Sequence, residues 1–134
     1  MKVRALYTPD VVQVDPADSL RVAAATMRDL VVGSVLAFEE DRLVGILTEQ
    51  DLARAVAAGV DPDRALVDEW MSRNPVCVEP EADSADVAAR MLELGLRHLP
   101  VWEEGRVIGM VSSRDLLEAD AWPILHGRRA DEPA

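Results

Sequence analysis

Two hydroxyl and carboxylate pairs recur at one spacing. The phrase "GILTEQDL" sets Thr48 three residues ahead of Asp51, and "GMVSSRDL" sets Ser112 three residues ahead of Asp115. At the start of a helix that spacing is about one turn, so the carboxylate returns to the rim where the hydroxyl sits. The free N–H groups of the first turn point to the same place and suit an anionic oxygen. A carboxylate accepting from two adjacent hydroxyls is a common way to hold a ribose. Gly45 and Gly109, three residues ahead of each hydroxyl, leave room for a flat ring or a neighbouring backbone to come close. Together these groups fit a nucleoside phosphate. The same residues also have a plainer reading, as helix caps and as acids placed favourably at the positive end of a helix dipole.

The elements that must position them are written twice. Val14 and Val78, Met27 and Met91, Gly45 and Gly109, and Asp51 and Asp115 are all sixty-four positions apart, without a gap. Roughly a third of the positions from Val11 to Leu52 match those from Pro75 to Leu116, which indicates duplication. Each copy opens with a short apolar run (Val11 to Val14; Val76 to Val78). A capping residue follows, Ser19 or Asp83, and then a helix with apolar positions Val22, Ala23, Thr26, Met27 and Leu30 on one side, or Val87, Met91 and Leu94 in the second copy. Next come two strand-like runs, 34–38 and 43–47, mirrored by 98–102 and 107–111, with tight turns expected at Asp41-Arg42 and Gly105-Arg106. A second helix starts at Thr48 or Ser112, and the first copy's ends at Gly59. This α/β plan divides as repeat 1 (1–60), a linker with a short helix from about Arg64 to Met71 (61–74), repeat 2 (75–120) and a polar C-terminal tail (121–134). Neither half should be stable alone, because each small sheet needs covering.

Composition narrows the function. The chain has 134 residues, and its 25 acidic against 14 basic residues give a net charge of −11, a field that repels phosphate backbones and anionic lipid. Nucleic acid and membrane are therefore not expected partners. One cysteine, Cys77, excludes an internal disulfide and suits a small buried residue in a reducing compartment. No secretory signal or membrane-length apolar run is present, which predicts a cytoplasmic protein. Arginine far outnumbers lysine and Ala and Val are abundant, as in proteins from GC-rich bacterial genomes. Met27, Met91, Trp70 and Trp102 read as core. The Glu39-Glu40 and Glu103-Glu104 pairs point to opposite faces of a strand and do not form a catalytic pair. No nucleophile stands beside a base, and no residues have metal-ligand spacing, so neither catalytic nor metal-binding residues are expected.

The two phrases, their order and "RHLPV" from Arg97 make the chain resemble a tandem pair of cystathionine β-synthase (CBS) domains, of the stand-alone bacterial type, over about Met1 to Asp120. The resemblance implies two pseudo-symmetric β-α-β-β-α repeats, commonly a homodimer, with clefts for adenosyl compounds such as AMP, ADP, ATP or S-adenosylmethionine and no required cofactor. It further implies clefts built across the repeats. Thr48 and Asp51 would share one with Ser72, Val76, Leu96, Arg97 and His98. Ser112 and Asp115 would share the other with Tyr7 or Thr8, Val12, Val32 and Ser34, and Arg114 would supply its cation. Arg97 and His98 align with Gly33 and Ser34, so the first cleft has basic residues on that strand to meet phosphate, and it is the first candidate. Two departures from the family pattern stand out: Leu36 replaces the proline seen as Pro100, and "ALYTP" replaces the usual Met-x-Thr-Pro. The expected role is a non-catalytic, energy-sensing regulatory module that signals to a separate effector protein. The alternative is a ligand-free dimerisation scaffold.

Overall fold

The computed structural model describes residues 1–9 and 11–118. They form two compact units, one made of Val11–Pro75 and the other joining residues 1–9 to residues 76–118. The expected C-terminal tail, 121–134, lies outside the described residues, as do the last two positions of repeat 2.

In the Val11–Pro75 unit the order is β1 (Gln13–Val14), α1 (Leu20–Leu30), β2 (Ser34–Glu39), β3 (Arg42–Thr48), α2 (Glu49–Ala57), α3 (Val67–Trp70) and β4 (Ser72–Arg73). The sheet runs β1-β2-β3-β4, with β1 parallel to β2 and the other pairs antiparallel. Its core gathers Leu20, Ala23 and Met27 of α1, Val35 and Ala37 of β2, Leu47 of β3, and Val67 and Met71. The other unit contains α4 (Ser84–Leu94), β5 (His98–Glu103) and β6 (Arg106–Ser112), and is helical again over 113–118. Bridges from Val78 to Val101 and from Thr8 to Met110 stand where β1 and β4 stand in the first repeat. Val3, Val87, Met91, Leu99, Val101, Val111 and Leu116 make its core.

Backbone hydrogen bonds extend the duplication to the first residues of the chain. Val3 N–H donates to the Ala82 carbonyl and Val67 N–H to that of Asp18; Arg4 N–H donates to Pro80 and Asp68 N–H to Pro16. Ser84 N–H donates to Met1, as Leu20 N–H does to Ala65. All three pairs of bonds are related by the same offset. Residues 1–8 are thus the counterpart of 65–72: Ser72 pairs with repeat 1 at Ile46, and Thr8 bridges repeat 2 at Met110. Side-chain identity there is confined to Val3 and Val67, both fully buried, so this part of the duplication leaves almost no trace in the sequence.

Local chemistry explains the element ends. Ser19 accepts from Val22 N–H and Asp83 from Ala85 N–H, as expected of both caps. After α2 the chain turns at Gly59 with φ 77°, the left-handed C-terminal exit that glycine favours. The hairpin turns fall one residue earlier than expected. Glu39 pairs with Arg42 and Glu103 with Arg106, which leaves Glu40-Asp41 and Glu104-Gly105 as the two-residue loops. The linker helix is shorter than 64–71, because Leu66 is held extended by its bridge to Ser19 and by the Glu69 carboxylate, which accepts its N–H at 2.8 Å. The opening apolar runs also shorten, to two residues in repeat 1 and to the Val78 bridge in repeat 2. The Leu36–Pro100 difference accounts for that asymmetry: Leu36 N–H donates to the Val12 carbonyl at 2.8 Å, and Pro100 has no N–H to give.

Two packing expectations are corrected. On α1 the buried stripe is Leu20, Ala23 and Met27, while Val22 and Leu30 are half exposed, because the buried face follows i, i+3, i+7 and leaves its flank open. Leu94 likewise sits at the margin of α4. Trp102 is exposed, next in line after the fully buried Val101 on a strand whose successive side chains alternate between faces. Trp70 packs against the core and Met27 and Met91 are buried in theirs.

Candidate functional site

The Thr48–Asp51 pair closes a capping box at the junction of β3 and α2. Asp51 Oδ2 accepts from the Thr48 N–H at 2.8 Å and from the Thr48 hydroxyl at 3.1 Å. Asp51 N–H donates back to Thr48 Oγ1 at 3.4 Å. The remaining oxygen, Oδ1, accepts from Arg54 at 2.6 Å. Asp51 is only 6% exposed, so this carboxylate is largely removed from solvent. The Arg54 guanidinium lies 5.8 Å from the centre of the Trp70 ring, within cation–π range.

At the junction of β6 and the 113–118 helix the same box is drawn with fewer lines. Asp115 Oδ2 accepts from Ser112 N–H at 2.9 Å, and Asp115 N–H donates to Ser112 Oγ at 3.1 Å. Among the described residues no donor meets Oδ1. Glu118 stands where repeat 1 has Arg54, and Leu6 aligns with Trp70. Glu118 instead makes a loose, exposed pair with Arg114 at 3.7 Å.

Each strand junction is also tied to the strand beside it. Ser34 pairs with Thr48 and His98 with Ser112. Glu49 N–H donates to the Gly33 carbonyl at 3.2 Å and Ser113 N–H to the Arg97 carbonyl at 2.8 Å. Ser72 pairs with Ile46 and Thr8 bridges Met110, one residue from each glycine. The Val11–Pro75 unit therefore brings together Val12, Val32, Ser34, Thr48, Asp51 and Ser72. The other unit holds Thr8, Val76, Leu96, Arg97, His98, Ser112, Arg114 and Asp115. Each of the two groupings expected from the resemblance draws residues from both units.

The space beside the glycines is taken by the protein itself. A methyl group on Gly45 would collide with the Met71 side chain, and one on Gly109 with the Thr8 carbonyl oxygen and the Tyr7 ring. Of the two approaches expected, a neighbouring backbone comes close at Gly109, while at Gly45 the Met71 side chain takes the space instead. Cys77 is half-buried, and burial pushes its thiol pKa up, away from the reactive thiolate. Among the described residues no cluster of His, Cys, Asp or Glu could hold a metal ion, and no helix is long and apolar enough to cross a membrane.

The residues that sequence reasoning passed over are Arg54 and the indole face of Trp70. The Asp51–Arg54 spacing on one helix was legible as a side-chain pair. Its effect on the candidate carboxylate was not.

Two βαββα repeats, each with a hydroxyl–carboxylate box at a strand-to-helix junction, define an α/β tandem-repeat module. The CBS domain model matches residues 3–58 and 67–121, and the chain belongs to the CBS domain family as a tandem pair. Protein MK0525 of Methanopyrus kandleri is 31% identical over 116 residues, 84% of this chain and 59% of that protein; the chain thus spans little more than half of that relative. The crystal structure of the CBS-domain protein ATU1752 from Agrobacterium tumefaciens superposes with a TM-score of 0.85 at 31% identity, over 90% of this chain and 99% of the other. The CBS domain pair of protein MJ0100, solved with 5-methylthioadenosine and S-adenosyl-L-methionine, matches with a TM-score of 0.82 at 24% identity, over 90% and 96% of the two chains.

Proposed function

We propose that this CBS pair is a non-catalytic regulatory module that binds an adenosine-containing nucleotide, such as AMP, ADP, ATP or S-adenosylmethionine, at its hydroxyl–carboxylate boxes. The observation that carries the reading is the repetition of one arrangement: a buried or half-buried aspartate at a strand-to-helix junction, held by the Thr48 or Ser112 cap, with backbone N–H groups beside it. The carboxylate is placed to accept a ribose diol, and the cap and helix start to meet an anionic oxygen. The adenosyl ligands of the MJ0100 pair support that choice of ligand class. The working form is a homodimer that reports to a separate effector protein, for which the exposed apolar side chains Val22, Leu30 and Leu92 offer contact surface. The signal passed on is limited to the difference in ligand affinity between the two shapes of the module.

The ligand-free scaffold is the second reading, and the internal bonding of Asp51 favours it for repeat 1 alone. Thermal melts with AMP, ADP, ATP and S-adenosylmethionine decide between the readings. Ligand at a hundred times its dissociation constant adds about 2.7 kcal/mol, a rise of several degrees. Asp115→Ala or Asp51→Ala should reduce that rise, each by the share its own box contributes, while the chain stays folded. No rise with any of the four compounds, in protein free of bound nucleotide, leaves the scaffold.

A further inference from the structure

The two boxes differ in how much of the carboxylate is still free to bind. A carboxylate offers about four acceptor positions. Asp51 has three committed, two to Thr48 and one to Arg54, so a single position is left. Asp115 has one committed, to Ser112, among the described residues. A vicinal diol needs two. Asp51 can therefore take a diol only by releasing a bond it already has, and Asp115 need release nothing.

We propose that Arg54 is an internal lock on the repeat 1 carboxylate, which a ribose must displace, so that ligand fills the Ser112–Asp115 box first. The proposal rests on the ribose-binding reading of the two boxes. Three features of the chain support it. The Arg54–Asp51 bond is short, at 2.6 Å, and its carboxylate is 6% exposed, so the acid end of the pair is out of water although the guanidinium is not. Trp70 gives the guanidinium a face to rest on, so the locked position is prepared before the ion pair forms. Repeat 2 lacks both parts, with Glu118 at the arginine position and Leu6 at the tryptophan position. The lock reverses the ranking expected from Arg97 and His98, because an open carboxylate matters before a distant phosphate contact does. It also makes the module two-stage: repeat 2 responds at low nucleotide and repeat 1 at higher.

Calorimetric titration of the full chain with AMP and 2′-deoxy-AMP tests this, in an Asp115→Asn background that leaves repeat 1 as the only intact box. Adding Arg54→Gln should tighten AMP binding about fivefold, the scale of one partly exposed ion pair, and leave 2′-deoxy-AMP unchanged. Arg54→Met, which keeps the stem against Trp70, should do the same. Arg54 is 62% exposed, and the melting temperature of each variant checks that the fold is intact. Unchanged or weaker AMP binding in both Arg54 variants would overturn the lock while leaving the ribose reading in place, provided the parent chain prefers AMP to its deoxy form. An equal gain for both nucleotides also overturns it, because Arg54 would then act on something other than the diol. No binding of either nucleotide by the parent chain or any variant removes the ribose reading, and the lock with it.

Discussion

Repeat 1 and repeat 2 are the same scaffold carrying different traffic. Their cores correspond position by position: Ala23 with Val87, Met27 with Met91, Val35 with Leu99, Ala37 with Val101, Leu47 with Val111. The larger residue falls to repeat 2 at three of these positions and to repeat 1 at Leu47, so the exchanges partly offset in volume, as a close-packed interior requires. The backbone bonds at the start of α1 and α4 are shared as well. On the rim the exchanges change chemical type, Arg54 against Glu118, Gly33 against Arg97 and Val31 against Gly95, whereas the Leu36–Pro100 exchange is buried and belongs to the frame. Duplication leaves a hydrogen-bonded frame under strong physical constraint and frees the positions that only a ligand or solvent would meet.

Breaking the frame in one repeat and watching the other is the sharpest use of that comparison. The largest effect is expected for Leu36→Pro. Leu36 is 1% exposed and its N–H is bonded to Val12, so the change removes both a buried side chain and a β1–β2 hydrogen bond, at a cost of about 3 kcal/mol. The reverse change, Pro100→Leu, should be tolerated and should extend the Val78 bridge into a longer ladder, visible as a protected amide at position 100, whose new N–H would donate to the Val76 carbonyl. Denaturant melts that show Leu36→Pro costing no more than Pro100→Leu would mean that the β1 pairing contributes little.

The glycines rank next. At Gly109 a methyl group meets the carbonyl of Thr8, a residue held by two backbone bonds to Met110, whereas at Gly45 it meets the flexible end of Met71. Gly109→Ala should therefore destabilise by about 2 kcal/mol and Gly45→Ala by roughly half of that, on the scale of overpacked cores. Equal losses would show that Met71 is as immobile as backbone.

Much of this was readable in the residues, and the reasons for the rest are specific. The caps Ser19, Asp83, Thr48 and Ser112 were legible because capping is local: a side chain and an N–H two or three residues away decide it. The two helices, the hairpins and the α/β class followed from periodicity. The role of residues 1–9 was not legible, since the bonds from Val3 and Arg4 to Ala82 and Pro80 run through the backbone and leave no side-chain signature. Val22 is half exposed because periodicity locates a face without saying how wide the covering layer is, and Trp102 is exposed because residue type, which pointed to the core, does not say which face of a strand a side chain takes. The candidate site was half legible. Type and spacing marked Asp51 and Asp115 as equals, and only the coordinates separate a carboxylate with three partners from one with a single partner.

The smallest expected effect tests the idea that rim positions diverged free of the frame. Val31 ends α1 at φ 54°, ψ 52°, with its N–H donating back to Met27 and Arg28, and Gly95 ends α4 at φ 67°, ψ 28° with the same bonds. A β-branched residue in that region costs about 1–2 kcal/mol, and Val31 is 89% exposed, so no packing within the chain offsets the strain. Val31→Gly removes the strain but adds freedom to the unfolded chain, roughly 0.5–1 kcal/mol. The net gain should be about 0.5–1 kcal/mol, a rise of a few degrees in melting temperature. Gly95→Val should lose a similar amount, and the double exchange should return the parent stability within about 0.5 kcal/mol, because the two sites share no partner. If Val31→Gly melts at or below the parent, the valine is held by something outside the folded chain's own contacts, and a homodimer that buries Val31 is the first place to look: the same melts repeated across a hundredfold range of protein concentration would then show the parent gaining on the variant as concentration rises.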